Sequence, residues 1–284
     1  MVEKVTGSLK ERAILVRLER ENCWLGKRTD QSMKAEIEKR KGTTDHVEVK
    51  RNLFPGCDQP LEQVFNAINH VDYVYRRRTL PWLPGVNIIA SPLFLQFTQA
   101  MNDAMTQLDR AKDELRSNWD NMVRTGIQNS KGTAHISEYP SKDDLDNMYQ
   151  LHLTYYPVHD SSDWRVTLPH EVVEDIKQRL EDDNERRLAT ATNEIWHRLA
   201  KEIEAAWKNL NGAKLRPEWI ERLRELAHSI PDLNLANDPD LEEAAKKAKA
   251  LTEEDIETLK SDKVVKASVQ EKAEDLYNQL KEFM

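Results

Sequence analysis

The stretch that decides the fold begins Ser91-Pro-Leu-Phe-Leu-Gln-Phe-Thr-Gln-Ala-Met-Asn-Asp-Ala-Met-Thr-Gln-Leu108 and keeps its pattern to Met122. Ser91 is a typical helix N-cap, and Pro92 suits the first turn that follows it. Apolar residues then recur every three or four positions, at Phe94, Phe97, Met101, Ala104, Leu108, Ala111, Leu115, Trp119 and Met122. This spacing predicts a helix of about 30 residues with one coiled-coil-like seam, ending near Gly126.

A second helix of the same kind is predicted over residues 170–211, after Pro169. Its seam consists of Val173, Ile176, Leu180, Asn184, Leu188, Ala191, Ile195, Leu199, Ile203, Ala206 and Leu210. The two helices have matching seams and are separated by a compact insert, so we expect them to pair antiparallel. A 40-residue helix is about 60 Å long, so we expect this pair to form an extended arm. Asn184 interrupts the stripe, either as a buried residue that sets the register or as part of a turn that faces solvent.

The sequence on either side of the first long helix predicts a mixture of strands and helices. Residues 13–18 are apolar and rich in β-branched side chains, as in a strand. Residues 60–77 have helical spacing, and the proline-rich stretch 79–92 predicts an ordered connector around Trp82. Ser141 to Asp144 resembles a capping box and predicts a helix that continues to about residue 155.

These elements predict a mainly α (α+β) protein in three consecutive segments. The segments are a small α+β head over residues 1–90, a long helical pair over 91–212 with a compact insert at about 127–168, and a C-terminal helical segment over 213–284.

Composition excludes several classes of protein. The 284 residues carry 42 Lys and Arg against 50 Asp and Glu, a net charge of −8, and no apolar run is long enough for a membrane span. Two cysteines, Cys23 and Cys57, cannot form a disulfide framework, and the eight glycines match no phosphate-binding loop. Because the first residues include no apolar signal segment, we expect a cytoplasmic chain without a cofactor.

No catalytic motif is present, and we therefore expect a protein that is not an enzyme. A metal-dependent enzyme is the third hypothesis, with a site assembled from His152, His159, Asp160 and Asp163. The polarity of a loop explains the same residues. Carboxylates between Glu171 and Glu185 alternate with Lys and Arg, which favours a helix surface covered by salt bridges over an acid–base site.

Residues 1–78 carry a net charge of +4 and the remainder −12, which allows an anionic partner at the front of the chain, although ordinary scatter of charge explains the same difference. The candidate nucleic-acid-binding residues are Tyr75, Arg76, Arg77, Arg78 and Trp82, together with Lys27 and Arg28. Arginines neutralise phosphates, and aromatic rings stack on unpaired bases. The alternative is structural, because arginines also satisfy the carbonyls at a helix C-terminus while a tryptophan fills the core.

Several short patterns resemble an uncharacterised family of bacteriophage and prophage proteins. They are Trp24-x-Gly26-x-x-x-Asp30, Lys50-x-x-Leu53, Arg77-x-Thr79-Leu-Pro-Trp82, Gly85-x-x-Ile88-x-x-Ser91, Tyr139-Pro140, Trp164-Arg165-Val166 and Pro231-x-Leu233-Asn234. The resemblance covers most of the chain, with Thr79-Leu-Pro-Trp82 as its most distinctive part. It implies a phage-encoded protein of the host cytoplasm, with a small head, long helices and no established activity.

The sequence as a whole favours a non-enzymatic interaction or assembly protein that associates with itself. The expected partners are a second copy of the chain and a phage or host protein, with nucleic acid as the alternative and no membrane. The predicted self-association seam consists of Phe97, Met101, Leu108, Leu115, Leu188, Ile195 and Leu199.

Overall fold

A computed structural model describes residues 8–21, 23–24, 26–42, 47–160, 169–212 and 215–283. Helices dominate it, and one antiparallel sheet of four strands accompanies them. This confirms the predicted mainly α (α+β) class with a small mixed head.

The helices are α1 (Leu9–Arg12), α2 (Gln31–Lys41), α3 (Gln59–Arg78), α4 (Phe94–Asn129), α5 (His170–Leu210), α6 (Glu218–Leu233), α7 (Pro239–Ala250), α8 (Ile256–Ser261) and α9 (Lys263–Leu280). The strands are β1 (Ala13–Glu21), β2 (Lys27–Thr29), β3 (Lys50–Asn52), β4 (Leu80–Leu83), β5 (Val86–Ala90) and β6 (Gln150–Pro157). The sheet order is β4-β5-β1-β6, and β2 and β3 form a separate two-stranded ribbon.

The proline-rich connector is ordered, as predicted, but it forms a hairpin of β4 and β5. Gly85 lies in the turn with a φ of 76°, which favours glycine. β5 then pairs antiparallel with β1, so that Ala90 lies opposite Ala13 and Ile88 opposite Leu15. The sequence does not predict these strands, because Pro81 interrupts the alternation of apolar and polar residues that usually indicates a strand.

α4 confirms the predicted long helix, but it does not end at Gly126. A turn of 3-10 helix at Ser91–Leu93 leads into it, and it continues to Asn129. Gly126 instead lets the helix approach another part of the chain, because a Cβ there would overlap the carbonyl oxygen of Leu53. The glycine is therefore a packing residue and not a helix terminator.

The helix predicted from residue 141 to about residue 155 is wrong. Ser141 and Asp144 do form reciprocal hydrogen bonds, between Ser141 N and Asp144 Oδ2 (2.9 Å) and between Asp144 N and Ser141 Oγ (3.2 Å). Only a 3-10 turn, Asp144–Asn147, follows them before β6 begins. Leu151 to Tyr156 is rich in aromatic and branched side chains, which favour a strand. The pattern Trp164-Arg165-Val166, one of those that carry the resemblance to the phage family, lies outside the described residues.

The chain folds into two compact units that differ from the three consecutive segments predicted from the sequence. The helical unit comprises residues 1–17, 78–95 and 155–284, and the aromatic unit comprises residues 18–77 and 96–154. α5 belongs to the helical unit, whereas α4 from Gln96 onward belongs to the aromatic unit. Pairing between these two helices stays a prediction.

The aromatic unit has a core of rings around Phe54. The ring of Phe54 lies 5.4 Å from that of Trp119, 5.3 Å from that of Tyr139 and 5.9 Å from that of Trp24, in each case edge to face. Such contacts contribute about 0.5–1.5 kcal/mol each beyond the burial of their area. In the helical unit, the second half of α5 packs against α6, α9 and β4.

Candidate functional site

The structure places the predicted self-association residues of α4 in the core of the aromatic unit. Phe97, Met101, Leu108 and Leu115 are all buried. Leu108 and Leu115 belong to one cluster with side chains of α3, among them Val64. These four residues are therefore covered within a single chain, which corrects their assignment to a self-association seam.

The predicted residues in the second half of α5 have a similar position in the helical unit. Ile195 and Leu199 are fully buried, and the helix face that carries them packs against α6 and α9. They too are covered within one chain, so six of the seven predicted seam residues belong to a core.

The first half of α5 is different, because its buried residues begin only at Ala191. Between His170 and Thr190 the apolar stripe continues at helical spacing, through Val173, Ile176, Leu180 and Leu188, and each of these side chains is half-buried. We call these four residues the α5 stripe. Val172 beside it is 44% exposed. Leu188 is thus the one predicted seam residue that retains accessible apolar surface.

Ion pairs cover the rest of this half of the helix. Lys177 pairs with Glu174 at 3.1 Å, Arg179 with Asp175 at 2.9 Å, and Asp183 with both Arg186 and Arg187. This confirms the interpretation of the carboxylate clusters as a salt-bridged helix surface. Exposed pairs of this kind contribute little to stability, about 0.3–0.5 kcal/mol each.

Asn184 fits neither of the two explanations that the sequence left open. Its side chain is half-buried, and Nδ2 donates a hydrogen bond to the carbonyl oxygen of His159 at 3.0 Å. The residue therefore links the loop before α5 to the helix, at the position where the apolar stripe is interrupted.

The aromatic residues predicted to stack on nucleic-acid bases are buried. Tyr75 is 7% exposed and its ring lies 6.4 Å from that of Phe97, while Trp82 on β4 is 6% exposed. Neither ring has a free face for a base, so this part of the nucleic-acid prediction is wrong. The structural alternative for Trp82, a residue that fills the core, is confirmed.

Most of the predicted phosphate-binding cations have partners in their own chain. Arg77 donates to the hydroxyl of Tyr73 at 3.0 Å, Arg78 pairs with Glu225 at 3.5 Å, and Arg28 donates to the carbonyl of Glu138 at 3.3 Å. Arg76 and Lys27 are exposed. Phosphate binding through these residues stays a prediction.

The segment Thr79-Leu-Pro-Trp82 has a structural role in the helical unit. Thr79 is completely buried, its carbonyl oxygen accepts a hydrogen bond from Arg198 Nη2 at 3.0 Å, and its hydroxyl accepts one from Asn87 at 2.7 Å. Glu194 holds the same guanidinium at 2.8 Å. α5 is thereby fixed to the edge strand β4.

The residues proposed as metal ligands do not converge in the described part of the chain. Asp160 forms a salt bridge with Lys10 at 2.8 Å, and Asp163 lies outside the described residues. Among the described residues, no group of three His, Cys, Asp or Glu side chains is arranged to hold a metal ion.

Three groups in the aromatic unit titrate above their ordinary range. Burial is the main reason that the pKa values of the Cys57 thiol and the Tyr139 and Tyr149 phenols are raised. Each group also donates a hydrogen bond to a carbonyl, for example from Tyr149 to Trp24 at 2.8 Å. Cys57 is therefore a neutral structural thiol, since a reactive cysteine needs a lowered pKa.

Scans against protein-family models, curated proteins and solved structures found no match to this chain. In the described part of the chain, no helix has both the length and the apolar character needed to cross a bilayer.

The helical unit also contains a cavity of about 360 Å³ that no local sequence pattern indicates. Arg12, Ala90, His228, Leu235 and Lys246 all contribute to its wall. These residues come from well-separated parts of the sequence and meet only in the folded unit. The nearest signal in the sequence is Pro231-x-Leu233-Asn234, which forms the end of α6 beside the cavity.

Proposed function

We propose that this is a non-enzymatic, phage-encoded interaction protein of the host cytoplasm that associates with a second copy of itself through the α5 stripe. One observation carries the proposal. The apolar stripe continues for sixteen residues, from Val173 to Leu188, although no residue of this half of the helix is buried.

The α5 stripe is only partly covered within one chain. A helix with one apolar face gains stability when the face is buried, at roughly 25 cal/mol for each Å² of apolar surface removed from water. The half-buried side chains of Ile176 and Leu180 have part of that gain still available. A second copy offers the same stripe, so a two-fold symmetric contact can cover both.

The proposed phage origin is supported by the patterns at Trp24 to Asp30 and at Thr79 to Trp82. In both patterns one residue has a structural contact, because the ring of Trp24 packs on that of Phe54 and the carbonyl of Thr79 accepts a hydrogen bond from Arg198. A family that keeps these residues would keep this fold.

Sedimentation velocity over a concentration series tests the proposal. We expect a dimer for the natural sequence, and a monomer when Ile176→Glu and Leu180→Glu together place two charges in the α5 stripe. The matched control is Arg179→Glu, which adds the same side chain on the exposed, ion-paired face of the same turn. The control should remain a dimer.

Two results would contradict self-association through the stripe. The first is a natural chain that stays monomeric at about 100 µM, a concentration well above the Kd of a stable homodimer. The second is a dimer that persists in the double variant while circular dichroism shows native helix content. A dimer lost equally in Arg179→Glu would place the contact elsewhere on the helix.

A further inference from the structure

The cavity of the helical unit has an apolar floor. Ala90 at the end of β5, Ala227 on α6, Leu235 in the following loop and Ala245 on α7 are all buried and all line it. Its volume of about 360 Å³ is near the lower end of the range for small-molecule sites, which is roughly 300–1,000 Å³. The floor suits a short apolar group.

Arg12 brings a fixed guanidinium to the wall of this cavity. Its Nη2 donates a hydrogen bond to the carbonyl oxygen of Leu235 at 3.1 Å, which holds the side chain against the loop after α6. Its Nε is buried and has no hydrogen-bond partner. The hydrogen bond to Leu235 therefore orients the guanidinium at the wall of the cavity, where a bound carboxylate would accept hydrogen bonds from its terminal N–H groups.

Two lysines on α7 add positive charge at the rim. Lys246 and Lys249 are exposed, line the cavity and have no acidic side chain within 4 Å among the described residues. Lys247 between them faces another surface and pairs with Glu243 at 3.0 Å. Asp232 and Glu242 also line the cavity, so the charged groups that the described residues contribute to it are three cations and two carboxylates, beside His228. That local excess of positive charge contrasts with a chain of net charge −8.

The loop that forms one side of the cavity is held in place by partly buried hydrogen bonds. The side chain of Asn234 donates to the carbonyl of Asp238 at 2.8 Å and accepts from its backbone N–H at 2.9 Å. The carboxylate of Asp238 also accepts a hydrogen bond from the indole of Trp196 at 3.1 Å. A cavity with such a wall needs little reorganisation to receive a ligand.

We propose that this cavity binds a small organic acid, whose carboxylate contacts Arg12, Lys246 and Lys249 and whose apolar body lies on the floor of Ala90, Ala227 and Ala245. A guanidinium is the side chain best suited to a carboxylate, because its N–H groups match the two oxygens. This site is separate from the α5 stripe and goes beyond the proposed function.

The test uses the ¹⁵N-labelled chain of 284 residues and four probes, and NMR chemical shifts report the binding of each probe. Pentanoate has both the carboxylate and the apolar chain of the proposed ligand. The probes 1-pentanol and pentylamine have the apolar chain without a negative charge, whereas inorganic phosphate has the negative charge without an apolar chain. We expect pentanoate to saturate shifts at Leu235 and Ala245 with a dissociation constant in the millimolar range. The other three probes should bind about tenfold more weakly or not at all.

Variants then separate the site from general charge effects. Lys246→Gln with Lys249→Gln should weaken pentanoate binding about tenfold, and Arg12→Gln should weaken it further. The matched control is Lys247→Gln, which removes the same charge from the same helix but outside this cavity. It should bind pentanoate like the natural chain. The lysine variants change exposed residues, so they test the site even if Arg12→Gln fails to fold.

Several results would overturn the proposal. The first is the absence of pentanoate-induced shifts at about 50 mM, a concentration well above a millimolar dissociation constant. The second is equal affinity for pentanoate and 1-pentanol. The third is a Lys247→Gln variant that weakens pentanoate binding as much as the variant of Lys246 and Lys249 does. Binding of phosphate without pentanoate would overturn the assignment to an organic acid. None of these results bears on dimer formation through the α5 stripe.

Discussion

The two long helices of this protein have similar apolar spacing and different surroundings. In α4 the buried residues extend along the whole helix, from Phe97 to Gly126. In α5 they are confined to the second half, from Ala191 to Leu210, and the first 21 residues contain none. The spacing alone does not distinguish these cases, since Ile176 and Leu180 continue the register of Ile195 and Leu199.

The difference shows what decides burial. α4 has α3 and the ring cluster around Phe54 beside it, and the second half of α5 has α6, α9 and β4. The outer face of the first half of α5 carries ion pairs such as Arg179 with Asp175. Periodicity therefore predicts the helix and its apolar face, whereas the neighbouring elements decide whether that face is covered.

The largest expected effect compares the two halves of α5 directly. Leu199→Ala removes a fully buried side chain and should lower the free energy of unfolding by about 2–5 kcal/mol. Leu180→Ala removes a half-buried one from the α5 stripe and should cost less than about 1 kcal/mol in dilute, monomeric protein. Urea unfolding followed by circular dichroism measures both. Equal losses would show that the first half of the helix is also part of a core.

Much of the fold could be predicted because local signals agree with it. Asp30 caps α2 and Gly42 ends it with a φ of 64°, and Asp238 caps α7, each as the residue type suggests. The failures occurred where local and distant contacts compete. The capping residues at Ser141 predict a helix, but the strand character of the residues after Asn147 prevails.

The candidate sites were less predictable than the fold, for a different reason. Whether Tyr75 and Trp82 face a base or a core depends on elements far away in the sequence, and both rings turned out to be buried. The cavity around Arg12 depends on Leu235 and Lys246, more than 200 positions later. A periodic pattern does not indicate which distant residues come into contact in the folded chain.

A second prediction concerns the close approach in α4. In Gly126→Ala the new methyl group would overlap the carbonyl of Leu53 and lie 2.9 Å from the Tyr139 hydroxyl. Alanine favours a helix by about 1 kcal/mol, but the overlap forces a backbone shift. We expect a net loss of about 2 kcal/mol in the free energy of unfolding. A solvent-exposed helical residue changed to alanine, Asn102→Ala, is the control and should differ by less than about 0.5 kcal/mol. A stabilised Gly126→Ala would contradict the close packing along all of α4.

A third prediction concerns the bond that fixes the second half of α5 to β4. Arg198→Gln should cost about 1–2 kcal/mol, because the buried carbonyl of Thr79 loses its charged donor. Arg186→Gln in the first half removes an exposed partner of Asp183 and should cost about 0.3 kcal/mol. Urea midpoints of the two variants give the comparison. Similar midpoints would mean that the contact with Thr79 contributes nothing specific.

The smallest expected effect is a difference between the two units in how their stability changes with pH. Cys57, Tyr139 and Tyr149 of the aromatic unit have raised pKa values, mainly through burial, and each donates a hydrogen bond in its neutral form, to the carbonyls of Met122, Leu53 and Trp24. Their ordinary values are 9.0 for the thiol and 10.0 for the phenols. The folded chain therefore keeps protons that the unfolded chain releases above about pH 9, so unfolding becomes more favourable as the pH rises.

In the helical unit, the hydrogen bond to Glu204 raises the pKa of Lys208 above its ordinary value of 10.5, but this lysine is exposed and solvent screens its contribution. Between pH 8 and pH 10 the unit that contains α4 should consequently lose stability first. Pulsed alkylation of Cys57 across a urea series should detect its opening at a lower urea concentration at pH 10 than at pH 8. Tyr149→Phe, which cannot ionise, should show a smaller difference between the two pH values. An opening midpoint that rises with pH would contradict the assignment of these three groups as neutral donors in the core around α4.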